Sequence, residues 1–383
     1  MDDSEIVIVG GSCSGAAAGY VLSTAGKHVT IIEKTVFPRE KLCGGMITEK
    51  TMNLLNAIYG NFNRSEIVDS EYSRYSIYHK EYGKICTYTN PGRKLFFVDR
   101  LVFDNFFLSK AELAGCKVIQ GDKVDRINGN SIVLHSGKEI RANIIIGADG
   151  ANSVVRKSVT SGIDKKRYSF GVEINVLYND LTNIAKEKMT PRIYFGYVAG
   201  GYLWIFPKRD YVTFGIGGPV NHNKDKLVNI LRDFVRGFVS PEKNIPMSRL
   251  KGHPVPLHNY LRKPYKDGLF LIGDAAGFVE PITGEGIFFA VLSGKLVAEA
   301  ILCGHHLVKN YRNALRKNIY PILRQGYIAR RFFFNRYIQR YAMYKMKNNA
   351  KYCKYYFDML SLGRDYIEYA MLVVKDRNRY KCE

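Results

Sequence analysis

The sequence lacks any long apolar run. No stretch approaches the roughly 18 consecutive apolar residues of a membrane-spanning helix, and no apolar signal segment opens the chain. Cysteine is sparse as well: the seven cysteines are odd in number and scattered, with no CxxC pair. This spacing argues against a disulfide framework or a zinc site and favours a reducing cytosol. We therefore expect no bound metal and a cytoplasmic protein, soluble or peripheral on the inner face of the membrane.

Acidic residues are too few to balance the basic ones. The 383 residues contain 57 Lys and Arg against 35 Asp and Glu, a net charge of +22 in an otherwise ordinary globular composition. The stretch 307–383 has 18 Lys and Arg against 5 Asp and Glu, so it carries +13 of this charge, together with 12 of the 27 tyrosines. A field of this size attracts anionic lipid, nucleic acid or a phosphorylated substrate.

The first thirty residues contain a strand, a tight turn, a helix and a second strand. Residues 5–9 form a short, mainly apolar run that two glycines follow, small residues come next, and the apolar run 29–33 ends in a glutamate. Such a turn presents backbone N–H groups and a helix N-terminus to a pyrophosphate, and the carboxylate accepts hydrogen bonds from a ribose. A purely structural glycine turn is the alternative. The predicted dinucleotide-binding residues are Gly10, Ser12, Cys13, Ser14, Gly15, Glu33 and Lys34.

Two later motifs identify the dinucleotide through a resemblance. The segments 147–156 and 271–277 are similar to those of the p-hydroxybenzoate-hydroxylase-like flavoproteins. The resemblance implies FAD as the cofactor, with Asp274 at the ribityl chain and the backbone of Val124 at the adenine. Asp149 serves the same region or holds its turn, and for both aspartates a helix cap is the alternative.

Two further positions are assigned to the flavin. The N–H groups of Gly284, Gly286 and Ile287, at the start of a long predicted helix, suit the pyrimidine edge that becomes negative on reduction. For Glu285, in the same loop, we favour a structural or solvent-facing role over a catalytic one. The family resemblance places Arg100 against FAD, and a salt bridge to Asp104 is the alternative.

Within this flavoprotein group, two segments resemble the geranylgeranyl reductase family. Residues 41–46 are similar to its Cys-Gly loop, which implies that Cys43, Gly44, Gly45 and Met46 lie close to the isoalloxazine ring. Residues 201–207, with the glycines at 215, 217 and 218, are similar to its YxWxFP segment. Cys43 is a tentative catalytic residue, although we favour its role as a small residue that allows close approach to the ring.

The YxWxFP segment implies a prenyl pocket lined by aromatic side chains. On a strand, Tyr202, Trp204 and Phe206 point to one face, which also fits an ordinary sheet core. Only the resemblance favours the pocket.

We predict an α/β fold with a Rossmann-like FAD-binding domain, an antiparallel-sheet substrate domain and a helical C-terminal segment. The FAD-binding domain takes residues 1–68, 92–160 and 262–306, and the substrate domain takes 69–91 and 161–261. In the basic segment 307–383, helical spacing places Phe333, Tyr337, Tyr341 and Tyr344 on one stripe. This stripe either packs on the FAD-binding domain or anchors the protein to an anionic membrane.

The expected activity is reduction of carbon–carbon double bonds in a polyprenyl lipid by hydride from reduced FAD. The electron donor stays open between ferredoxin, NAD(P)H and a deazaflavin-type donor, and the proton donor between water, Cys43 and a tyrosine of the wall. An aromatic-ring monooxygenase shares the FAD architecture and is the alternative enzyme. A nucleic-acid-binding protein, acting through the basic tyrosine-rich segment, is the less favoured alternative of another class.

Overall fold

The N-terminal strand, helix and strand form as predicted. In the computed structural model, which describes residues 2–160, 168–183, 189–223, 226–243, 249–257, 260–362 and 366, β1 is Asp2–Val9, α1 is Cys13–Thr24 and β2 is Val29–Glu33. The strands that follow are β3 (Met46–Thr48), β4 (Ser70–Tyr72), β5 (Arg74–His79), β6 (Gly83–Thr89), β7 (Leu95–Phe97), β8 (Lys117–Gln120), β9 (Val124–Asn128), β10 (Ser131–Leu134), β11 (Glu139–Gly147), β12 (Ser169–Leu177), β13 (Arg192–Phe195), β14 (Tyr202–Pro207), β15 (Tyr211–Pro219), β16 (Lys251–Val255), β17 (Tyr265–Lys266) and β18 (Leu269–Leu271). The helices that follow are α2 (Glu49–Tyr59), α3 (Arg100–Leu113), α4 (Val154–Val159), α5 (Val220–Asn223), α6 (Leu227–Arg236), α7 (Gly273–Ala276), α8 (Ile287–Leu302), α9 (Leu307–Asn318), α10 (Tyr320–Phe333), α11 (Arg336–Asn348) and α12 (Ala350–Leu362).

A mainly parallel sheet forms the first layer. Its order is β17-β18-β11-β1-β2-β8, with β10 paired to β11 and β9 paired to β10. The central strands are buried because apolar residues occupy both of their faces, as in sheets covered by helices. Small residues on both helices allow α8 to lie directly on α1: a Cβ on Gly294 of α8 would come within 2.4 Å of the carbonyl oxygen of Ser14 in α1. This layer confirms the predicted Rossmann-like unit.

The second layer is the seven-stranded sheet β16-β12-β15-β14-β13-β5-β6. Its pairs are antiparallel, as predicted, except for β13 and β5, which run parallel. It draws its strands from 74–89 and 169–255, so the chain leaves the first layer twice to build it. A small sheet, β3-β7-β4, lies beside these two layers.

The C-terminal segment is helical, as expected, but its aromatic stripe is not continuous. Phe333 ends α10, and the Asn335 side chain caps α11 by accepting from the N–H groups of Tyr337 and Ile338. Phe333 packs on Phe195, whereas Tyr337, with Tyr341 and Tyr344, is exposed on α11. The stripe predicted from Phe333 to Tyr344 is therefore wrong, because a helix cap interrupts it. Residues 363–365 and 367–383 of the predicted segment lie outside the described residues.

The inner faces of α11 and α12 join the second layer. Their buried apolar side chains pack against Tyr75, Ile77 and Ile85. A disulfide joins Cys86 of β6 to Cys353 of α12 with a Cα–Cα distance of 6.4 Å. This bond corrects the expectation from the cysteine spacing, which argued against a disulfide framework, because the fold brings together two cysteines that are 267 residues apart. Among the described helices, none is both long and apolar enough to cross a bilayer.

Candidate active site

Glycines from three distant motifs meet at one end of the parallel sheet. A Cβ on Gly10, whose φ is +106°, would lie 2.4 Å from the carbonyl oxygen of Ala148. A Cβ on Gly273 would lie 3.1 Å from the Ser14 hydroxyl. The missing side chains let the turn after β1, the turn after β11 and the start of α7 touch. The predicted motifs therefore form a single site.

Glu33 lies at the turn after β1, as its spacing predicts. Its carboxylate accepts from the Gly11 N–H at 2.9 Å and from the Thr35 hydroxyl at 2.9 Å, so it fixes the glycine turn. The next residue, Lys34, is exposed. Val124 is buried in the core of the first layer, on β9.

The two motif aspartates differ in their surroundings. Asp149 accepts from the N–H of Val154 at 2.6 Å and from that of Val155 at 3.3 Å, so it holds the N-terminus of α4, the cap that was the alternative. Burial raises its pKa. Asp274 is half-buried beside Gly286, where a Cβ would lie 3.6 Å from its Oδ1 atom, and it lines the cavity described below.

Arg100 forms the salt bridge that was its alternative role. Its Nη2 atom lies 2.8 Å from Asp104 and 3.0 Å from the Ser12 hydroxyl. Arg39 and Lys41 join the group, at 3.5 Å from Asp104 and 3.2 Å from Ser12. Burial alone would raise the pKa of Asp104, but the three cations hold it below its ordinary value. Three cations thus face one buried carboxylate beside the glycine turn.

A cavity of about 260 Å³ lies between the two layers. One wall is the loop 41–46, another is the loop 282–286, and a third is the second sheet. Within the first wall, Cys43 Sγ accepts from the Gly45 N–H at 3.4 Å, which orders the loop. The lining of the cavity is mainly apolar and aromatic, as in sites that bind apolar ligands.

The predicted aromatic wall faces this cavity. Tyr202 and Trp204 have ring centroids 5.7 Å apart, and those of Trp204 and Phe206 are 6.1 Å apart. Leu203 and Ile205, which alternate with them, point into the core on the other face of the sheet. The three aromatics therefore line the cavity, which periodicity alone could not show.

Glycines on β15 make room for the indole. Gly215 pairs with Trp204, and a Cβ on Gly215 would lie 2.2 Å from the ring. At Gly217 the corresponding distance is 3.4 Å. The spacing of these two glycines is thus explained by the ring that lies across them.

The loop between α7 and α8 is braced from several sides. Glu280 accepts from the N–H of Ile282 at 2.9 Å and of Thr283 at 2.5 Å, and Tyr366 donates to it at 2.5 Å. Glu285 forms an ion pair with Lys50 at 2.5 Å, the structural role that we favoured.

Arg330 of α10 ties this loop to the second layer. It donates to the carbonyl of Pro281 and to that of Gly200, and it lines the cavity beside Tyr356. Burial lowers the pKa of Arg330 to about 10. This role could not be predicted from the sequence, because Arg330 is one of many cations in the segment.

A family model described as FAD binding domain matches residues 3–301. This chain belongs to the FAD binding domain family. FAD is its cofactor, and it is an FAD-dependent oxidoreductase.

Among the proteins similar to this chain are reductases that are named for geranylgeranyl groups. An uncharacterized protein of Methanosarcina barkeri is 34% identical to this oxidoreductase, over 79% of this chain and 75% of the relative. The digeranylgeranylglycerophospholipid reductase of Methanocaldococcus jannaschii is 28% identical, over 84% of each chain. The structure of a geranylgeranyl bacteriochlorophyll reductase-like protein from Thermoplasma acidophilum is similar, with a TM-score of 0.78 at 20% identity, over 98% of this chain and 99% of that one. The fold class and the resemblance to the geranylgeranyl reductases are confirmed.

The residues at the glycine turn fit a dinucleotide. The first turn of α1 has no acidic residue, and its N-cap, Ser12, makes no capping hydrogen bond with its side chain. The Oδ1 atom of Asp149 is buried and has no hydrogen-bond partner among the described residues. A free helix N-terminus with Arg39, Lys41 and Arg100 nearby suits the pyrophosphate of FAD.

Two buried ionisable residues of the oxidoreductase were not predicted from the sequence to belong to the site. Glu173 of β12 is 7% exposed and lines the cavity, and burial raises its pKa to about 7. Lys208, after β14, donates to the Val98 carbonyl at 3.0 Å, and burial lowers its pKa. A lone glutamate among apolar residues on a strand is usually predicted to face solvent. Only the packing of the two layers therefore identifies Glu173 as a residue that lines the cavity.

Proposed function

We propose that this oxidoreductase reduces carbon–carbon double bonds in polyprenyl chains of a lipid or lipid precursor. The observation that carries the proposal is the aromatic wall of Tyr202, Trp204 and Phe206, which lines an apolar cavity together with the loop 41–46. The wall touches this loop at Gly44, where a Cβ would lie 2.7 Å from the Phe206 ring. The names of the reductase relatives point to the same substrate class. Bound FAD, once reduced, supplies the hydride.

The residues of the chain supply binding and orientation. The first turn of α1, with Arg39, Lys41 and Arg100, holds the pyrophosphate, while Glu33 and Asp274 accept from hydroxyl groups of the cofactor. The N–H groups of Gly286 and Ile287, which line the cavity, would face the pyrimidine edge. Gly284 does not fit the role expected from the sequence, because its N–H donates to the Glu280 carbonyl at 3.0 Å. An alkene without a neighbouring carbonyl binds weakly to polar groups, so flat aromatic side chains hold it in place and exclude water. Cys43 acts in this scheme as the small residue that lets its loop approach the ring.

A half-reaction experiment tests this function. The flavin is reduced with dithionite without oxygen and mixed with a geranylgeranyl lipid, and its reoxidation is followed by absorbance. We expect reoxidation, with a product heavier by two hydrogens for each bond reduced. The matched control is the fully saturated lipid, which should leave the flavin reduced. Reoxidation that requires oxygen, with a hydroxylated aromatic product, would instead establish a monooxygenase.

We also propose that α10 and α11 dock the enzyme on an anionic membrane. Seven of the fifteen large apolar side chains that are exposed on the described residues lie between positions 327 and 344. They are Tyr327, Ile328, Phe332, Tyr337, Ile338, Tyr341 and Tyr344. Exposed Arg324, Arg331 and Arg336 lie among them, and each cation near an anionic surface contributes roughly 1 kcal/mol. Aromatics beside cations on exposed helices are typical of interfacial anchors.

Vesicle co-sedimentation tests the docking. We expect binding that rises with the fraction of anionic lipid and falls at high salt, and that weakens in a Tyr337→Ser, Tyr344→Ser double variant. The matched control is Val36→Ser with Leu113→Ser, which removes exposed apolar side chains elsewhere. Binding that ignores both lipid charge and salt would refute electrostatic docking.

A further inference from the structure

The second layer holds a carboxyl group that the binding scheme does not use. Glu173 pairs in register with Gly215, and Gly215 pairs with Trp204, so Glu173 and Trp204 project from the same face of the sheet. That face lines the cavity. Because Gly215 has no side chain, the indole ring lies across it, between the backbone of β15 and the cavity. Glu173 is therefore placed beside the residue that orients the substrate.

The surroundings of Glu173 leave it able to change its protonation state. The charge of Lys208 favours the charged form most, followed by the Trp204 indole N–H, the Cys43 backbone N–H and the charge of Arg100. Trp204 Nε1 is buried and makes no hydrogen bond of good geometry to any described residue. Burial, which favours the neutral acid, outweighs these effects and raises the pKa to about 7.

The cations near Glu173 are largely engaged elsewhere. Lys208 donates to the Val98 carbonyl and the Tyr211 hydroxyl, Arg100 pairs with Asp104, and Lys251, opposite Glu173 in register, pairs with Glu40. The remaining titratable groups around it are Cys43, Tyr202, Tyr211 and His253. Burial raises the pKa of both tyrosines and lowers that of His253, so these three groups are neutral near pH 7.

We propose that Glu173 is the proton donor for double-bond reduction, a role that rests on the proposed function. Reduction adds two hydrogens across the alkene. One carbon receives a hydride, with its electron pair, from the reduced flavin, and the π bond breaks. The Glu173 O–H bond breaks as its proton forms the C–H bond at the other carbon. The resulting carboxylate regains a proton from solvent before the next turnover, so charge and electrons balance.

The half-reactions test this role with Glu173→Gln, which keeps the shape and removes the acid. We expect reduction by dithionite to be unchanged and reoxidation by the geranylgeranyl lipid to slow about 100-fold or more. In the parent protein, reoxidation should slow as pH rises above about 7, whereas the residual rate of Glu173→Gln should be independent of pH between 6 and 8, roughly one pH unit either side of that value. Glu173→Asp, which keeps an acid, should recover part of the rate. Glu139→Gln, on the outer part of β11, is the matched control and should behave as the parent.

A second readout does not depend on turnover. Trp204 is the single tryptophan of the chain, so its emission reports on the neighbouring carboxyl. In the oxidised flavin-bound protein, we expect the emission to titrate with a midpoint near pH 7 and this transition to vanish in Glu173→Gln. Equal reoxidation rates or equal titrations in parent and variant would overturn the role of Glu173 alone. A parent that no prenyl lipid reoxidises would instead overturn the proposed function, and the donor role with it.

Discussion

Glu173 should make the free energy of unfolding depend on pH, and Glu173→Gln should remove this dependence. The pKa of the carboxyl is about 4.5 when exposed and about 7 in the folded protein, because burial disfavours its charge. The folded state therefore binds a proton that the unfolded state releases between these values. The free energy of unfolding falls as pH rises through this window and is constant above it.

The size of the effect follows from the same two values. Each pKa unit corresponds to about 1.4 kcal/mol, so the full difference between the two pKa values is worth about 3 kcal/mol. Part of it is already lost at pH 5, which leaves about 2 to 3 kcal/mol between pH 5 and pH 8. We expect the parent to lose this amount relative to Glu173→Gln over that range.

The difference in the free energy of unfolding between the parent and Glu173→Gln is measured by urea unfolding of the flavin-bound proteins. Unfolding is followed by Trp204 emission at a fixed excess of FAD. His79 and His253, whose pKa values are lowered by burial, change stability with the opposite sign, but they are present in both proteins and cancel. A constant offset between parent and variant would reflect the cost of the buried amide alone. Curves that stay parallel from pH 5 to pH 8 would refute a carboxyl that titrates near 7.

The remaining predictions concern the cofactor and the wall. Glu33→Ala and Asp274→Ala should each lower the flavin content of the purified protein, because each removes a charged acceptor worth on the order of 1.5 to 3 kcal/mol; unchanged content in both would remove their cofactor role. Trp204→Ala should slow reoxidation by a geranylgeranyl lipid far more than reduction by dithionite, and equal losses in stopped-flow traces would make it a core residue. Gly215→Ala should displace the indole, which a Cβ would approach to 2.2 Å, and shift the Trp204 emission; an unshifted spectrum would contradict the packing.

The fold of the glycine turn and its flanking strands could be predicted from the sequence because its determinants are local. A strand, a glycine turn, a helix and Glu33 follow one another within thirty residues, and their geometry depends little on the rest of the chain. Even there, the partners of Arg100 could not be chosen in advance. The alternatives were Asp104 and the cofactor, and the structure pairs the guanidinium with Asp104 and Ser12 beside the glycine turn, where it also adds to the positive charge that we assign to the pyrophosphate.

The part of the site that we assign to the substrate could not be predicted in the same way, because it depends on pairing between distant strands. The neighbours of Glu173 are set by the register of β12 on β15 and of β15 on β14, which alternation within one strand cannot reveal. The bond between Cys86 and Cys353 spans 267 residues and has no local sign either. The break between α10 and α11 is different, since asparagine before a helical run is a recognised start signal, and Asn335 could have been read as one.

Only one helix, α10, lies between the proposed membrane surface and the cavity. Leu323, Gly326 and Arg330 face inward, whereas Ile328 and Phe332 are exposed on the opposite side. A helix is about 10 Å across, so a prenyl chain need leave the lipid by little more than that to reach the flavin. A lipid reductase docked in this way encounters its substrate in two dimensions. Its rate should follow the mole fraction of unsaturated lipid in the vesicle, and adding inert lipid should slow it even at constant bulk substrate.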